Sequence, residues 1–103
     1  MITVEVDAGI CGFVTRLEAT PGANGAIVLR GESDCPRVQE YLAGLKAVQV
    51  SAALGRCYLE EIFQPAARAG LHPPCLVPVG VIKAMEVVAG LALPREATIR
   101  FVE

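Results

Sequence analysis

Hydrophobic and polar residues alternate along the first part of the chain and then change period. Ile2, Val4 and Val6 alternate with Thr3, Glu5 and Asp7, the two-residue repeat of a half-buried strand. Ala8-Gly9-Ile10-Cys11-Gly12 interrupts it with a glycine-rich turn, after which Phe13, Thr15 and Leu17 share one side of a second strand. Pro21-Gly22-Ala23-Asn24-Gly25 is a dense turn signal, and Ala26 to Leu29 predicts a third short strand. From Gly31 onward the repeat becomes helical. Val38, Tyr41, Leu42 and Leu45 predict a helix from about Pro36 to Lys46, with Ser33 or Asp34 as its N-cap and Pro36 in its first turn. Leu59, Ile62, Phe63 and Ala66 predict a second helix near 55–69, ended by Gly70, and Val81, Ile82, Met85 and Val88 a third near 78–90. Ile99 and Phe101 fall on one face of a final strand, 97–102. The order β-β-β-α-α-α-β over a single domain, 1–103, predicts an α+β fold: a small, mostly antiparallel sheet with helices packed on one face.

Composition narrows the functional classes. With 53% hydrophobic and 19% charged residues over 103 positions, the chain can bury one modest core. Its few aromatics make that core aliphatic. A net charge of −2 disfavours nucleic acid as a partner, because neutralising phosphates needs a basic surface. Arg16, Arg30 and Arg37 read as parts of solvated faces. The alternating, acidic start is a strand and not a signal peptide. The uncharged run Leu71 to Ile82 holds three prolines and is too short to span a bilayer. No membrane association is expected, and a cytoplasmic location, where thiols stay reduced, is.

The candidate chemistry lies in the cysteines. Cys11 sits on the glycine-rich turn, Cys35 in Ser33-Asp34-Cys35-Pro36 at the predicted helix start, and Cys75 behind His72-Pro73-Pro74. Unpaired N–H groups and the dipole of a helix N-terminus favour a thiolate at Cys35. His72 and Cys75 have the His-x-x-Cys spacing that lets two side chains reach one metal. Cys57 projects away from the apolar stripe of its helix and stands apart. There is no Cys-x-x-Cys pair, no phosphate-cradling loop and no dinucleotide fingerprint.

Three cysteines on this order of elements resemble those of the NifU/IscU/SufU iron–sulfur scaffold proteins. Ala8-Gly9-Ile10-Cys11-Gly12 is similar to that family's Cys-Gly turn, Cys35 to its cysteine after the sheet, and His72-Pro73-Pro74-Cys75 with Ile82-Lys83-Ala84 to its third. Phe13 stands where the family carries an aspartate, so the resemblance leaves Asp34 or Asp7 to supply an acid. The Asp-Cys-Pro and Gly-Leu-Ala-Leu-Pro segments also resemble a small prokaryotic family with no assigned activity. The resemblance implies a scaffold or carrier holding an iron–sulfur cluster, or zinc, on Cys11, Cys35 and Cys75, with Asp34 or His72 as a further ligand. Two other readings stand beside it. In one, the cysteines are incidental and Leu71–Val81 is a surface for a protein partner or for a homo-oligomer. In the other, Cys35 or Cys75 is a nucleophile with His72 as base, the weaker for a single histidine and no oxyanion-hole signature.

Overall fold

The computed structural model describes residues 1–103. Strands β1 (Ile2–Asp7), β2 (Val14–Pro21), β3 (Ala26–Glu32) and β4 (Ala47–Gln49) form one sheet in the order β1-β2-β3-β4, with every neighbouring pair antiparallel. Helix α1 (Pro36–Leu45) lies between β3 and β4; the short α2 (Val50–Ala53), a π-helical turn (Leu59–Phe63), α3 (Gln64–Arg68) and α4 (Val77–Val88) follow. The result is an α+β layer, as the pattern predicts. Val6, Leu17, Ala19, Ile27, Leu29 and Val48 face inward from the sheet, and Val38, Tyr41, Leu42, Ile62, Val81 and Met85 close over them. The outer face is polar. There the register sets Arg16 opposite both Glu5 and Glu32, and Arg30 opposite Glu18, so cross-strand neighbours alternate in sign.

Two glycines seat the helices on the sheet. A Cβ on Gly31 would lie 2.5 Å from Leu42 Cδ1 and 3.0 Å from Leu17 Cδ2, beneath α1. A Cβ on Gly80 would lie 2.5 Å from Val6 Cγ2, beneath α4. A carbon–carbon approach of 2.5 Å is shorter than van der Waals contact allows, so a side chain at either glycine would force Leu42 or Val6 to shift.

The structure departs from the predicted elements in four places. The N-cap of α1 is Cys35, not Ser33 or Asp34. The helix expected over 55–69 begins later and is broken: Pro65 has no N–H to give the carbonyl four residues back, and the chain widens into a π turn just before it. That widening shifts the buried stripe, leaving Leu59 exposed while Ile62 and Ala66 stay buried. β4 and α2 were not predicted, since three or four residues are too few to establish a period. Finally, residues 97–102 form no strand. Ile99 and Phe101 alternate as a strand would, but pattern assigns faces and not partners, and here the segment pairs with nothing, with Phe101 98% exposed.

Leu71–Val81 is not an open apolar surface either. Val77, Pro78, Gly80 and Val81 are buried, and of its large apolar side chains only Val79 is exposed. No helix is long and apolar enough to cross a membrane.

Candidate thiol site

Antiparallel pairing dictates which junctions meet. Because Asp7 pairs with Val14 and Arg16 with Glu32, the β1–β2 turn and the end of β3 lie at one end of the sheet. Gly80, in the first turn of α4, packs on Val6 near that same end. The turn carrying Cys11 and the junction carrying Cys35 therefore lie at the same end of the sheet, and Cys75 lies on the lead into the helix that rests on β1.

The first junction is a tight turn. Gly12 N–H donates to Gly9 O at 2.9 Å, and Gly9 N–H donates to Asp7 Oδ1 at 3.0 Å. Gly9 and Gly12 have φ of 87° and 76°, conformations that a side chain would strain. Ile10 and Cys11 form the tip, both exposed. Asp7, by capping this turn, is committed to structure.

The second junction is held by Ser33, which the sequence reading named only as a cap. Its buried hydroxyl accepts from Thr15 Oγ1 at 3.0 Å and from Cys35 N–H at 3.2 Å, while its carbonyl accepts from the Gln39 side chain. Ser33 thus ties the start of α1 to β2. Cys35 O accepts the first helical bond, from Gln39 N–H at 3.0 Å. Its thiol makes no capping hydrogen bond to the first-turn amides and packs half-buried against the core. Asp34 is exposed.

The third junction is a turn closed by Cys75 N–H donating to His72 O at 2.9 Å across Pro73 and Pro74. It sends its two ends in different directions. Cys75 is half-buried against the core, near Tyr41, whereas exposed His72 meets Arg37 of α1. Arg37 Nη1 lies 3.2 Å from His72 Nε2. A guanidinium only donates, so Nε2 is the acceptor and the ring proton sits on Nδ1. Nε2 of His72 is thereby engaged by Arg37 of α1.

Tyr41 lies beneath this junction. Its hydroxyl donates to Ile62 O at 3.0 Å, bridging α1 to the π turn. Burial raises its pKa well above the ordinary 10.0, and negative charge on the nearby Cys75 thiol adds to the rise.

In this conformation no group of three His, Cys, Asp or Glu side chains is arranged to hold a metal ion. Cys35 and Cys75 are half-buried, and Cys11 is exposed. Cys57 is exposed in the turn before the π segment. A groove between α1 and β3, lined by Glu18, Arg30, Glu32, Asp34, Gln39 and Lys46 among others, contains no cysteine.

A family model described as "Family of unknown function (DUF6951)" matches residues 2–101. No curated protein and no solved structure matches the chain. Nothing in these comparisons supports the resemblance to the iron–sulfur scaffold proteins.

Proposed function

The chain belongs to that family of unknown function, and from its own residues we propose that it binds a thiophilic metal centre, zinc or a small iron–sulfur cluster, at the cysteine-bearing end of the sheet. The observation that supports this reading is the placement of Cys11, Cys35 and Cys75 on junctions between elements, the first two at the same end of the sheet and the third on the lead into α4, which rests on β1. Thiolates are the donors that select zinc, copper(I) and iron–sulfur clusters. Cys35 and Cys75 are anchored by packing; Cys11 is carried at the tip of an exposed turn. Binding on this reading requires the Gly9–Gly12 turn to fold toward α1, so the free chain holds an open site that metal closes. Asp34 is an accessible fourth donor, and His72 becomes one only by releasing Arg37.

Protein purified anaerobically, with and without added iron and sulfide, is expected to contain metal in fixed proportion to chain. Alanine at Cys11, Cys35 or Cys75 is expected to abolish that content. Because a ligand held at about a hundred times its Kd stabilises by about 2.7 kcal/mol, loaded protein is expected to melt roughly 10 °C or more above the metal-free chain. Metal-free protein whose melting is unchanged by all three substitutions contradicts the proposal.

A second reading, an interaction module with incidental cysteines, is favoured by residues 91–103, where Leu93, Ile99, Phe101 and Val102 stand in water.

A further inference from the structure

The sheet ends in an open edge, and the chain carries a strand-like segment with nowhere to pair. β1 has one neighbour, β2. Residues of an antiparallel pair alternate between those that exchange hydrogen bonds and those that do not. Ala8 N–H donates to Phe13 O at 3.3 Å, which places Val6, Val4 and Ile2 in the bonded set. The backbone groups of Thr3, Glu5 and Asp7 therefore point away from the sheet, a ready template for another strand. The opposite edge, β4, is only three residues long. On the inner face Ile2 and Val4 are left half-buried, so the core itself is unfinished along β1.

Residues 97–102 supply what that edge lacks. Ile99 and Phe101 share one side of the alternation and are 74% and 98% exposed; Thr98 and Arg100 share the other. An added strand that turned Ile99 and Phe101 inward beside Ile2 and Val4 would bring Arg100 to the outer face, where β1 presents Glu5 and Asp7. Two β1 edges set against each other would bring those acids together, and like charges across strands are destabilising. In the single chain the segment lies off the sheet, leaving both surfaces open at once.

We propose that residues 97–102 add to the β1 edge of a second copy of this chain, reciprocally, in a two-fold dimer. Each copy gives one strand and receives one, so both β1 edges and both donor segments are used and assembly stops at two. Ile99 and Phe101 from both copies would cover the half-buried Ile2 and Val4 of both β1 strands.

Light scattering on the full chain tests this. The expected mass is twice 10.8 kDa. Phe101→Glu, at a position already in water, is expected to weaken the dimer by more than tenfold while leaving the circular dichroism unchanged. Glu5→Pro is expected to do the same from the other side, because proline on an outward edge position keeps the β1–β2 ladder and removes a donor to the incoming strand. Alternate amides within 98–102 are expected to be protected from hydrogen exchange in the wild-type chain and unprotected in Phe101→Glu. A monomeric wild-type chain overturns the proposal, whether its 98–102 amides are open or protected by pairing within the chain. So does a dimer that both substitutions leave intact. Metal content is a separate readout, so this result and that for the thiol site fail independently.

Discussion

Gly80→Val is expected to destabilise the protein by about 2–3 kcal/mol, near the top of the range for overpacked cores. The Cβ alone would lie 2.5 Å from Val6 Cγ2, and the branched side chain adds two further methyls with few allowed rotamers. Helix propensity works the other way, since valine is better in a helix than glycine by a few tenths of a kcal/mol. The clash exceeds that gain. Val6→Ala in the same chain removes the atom that is struck, so the double variant is expected to lose less than the sum of the singles by more than about 0.5 kcal/mol. Urea unfolding of the four chains checks this, and strict additivity would mean that α4 does not rest on β1 through Gly80. Since α4 follows directly on Cys75, a helix lifted from the sheet also displaces a thiol, and metal binding is expected to weaken in Gly80→Val more than its stability loss alone explains.

Tyr41→Phe carries the second large effect and has a pH signature. Removing the hydroxyl leaves the carbonyl of buried Ile62 without this partner, a loss of about 1–3 kcal/mol at neutral pH. Burial, and then charge on Cys75, hold the Tyr41 proton in the folded state to higher pH than the ordinary 10.0 at which an unfolded tyrosine loses it. Between those two values unfolding releases a proton. The contribution of the Tyr41 hydroxyl is therefore complete below pH 10 and falls by about 1.4 kcal/mol per pH unit above it. Phenylalanine has no such term. The gap between wild type and Tyr41→Phe is expected to be constant from pH 7 to near pH 10 and to close within one or two units beyond it. A gap that stays constant across that range would place Tyr41 in contact with water.

Much of this fold was legible as period. Alternation in 2–7 and around Leu17 gave strands with the right face inward, and the stripe from Val38 to Leu45 gave α1 almost to the residue. What pattern could not convey was partnership and local backbone chemistry. β4 is three residues joined to β3 by register alone. The π turn follows from the missing N–H of Pro65, a residue the helical stripe passes over. For 97–102 the alternation was read correctly but a partner was assumed, and in the single chain there is none. At the thiol site, the sequence placed Cys11, Cys35 and Cys75 on junctions and set Cys57 aside; the strand register puts the first two junctions at one end of the sheet, and no three such side chains are arranged to hold a metal ion. Two controlling residues were missed or misassigned. Ser33 joins β2 to α1 through its hydroxyl instead of capping the helix, a role foreshadowed only by the inward-facing Thr15. Arg37 was read as part of a solvated face, yet it occupies the nitrogen that would make His72 a ligand or a base.

The central claim is that Cys11, Cys35 and Cys75 act together on one metal. Anaerobic titration with Co²⁺, followed through the thiolate-to-metal charge-transfer absorption, tests it most directly, with serine placed in turn at each cysteine. One saturating step is expected in the wild-type chain, a matching step in Cys57→Ser, and loss or marked weakening of the absorption in each of Cys11→Ser, Cys35→Ser and Cys75→Ser. Absence of the absorption in the wild-type chain, or its persistence unchanged when Cys11 is replaced, would contradict it.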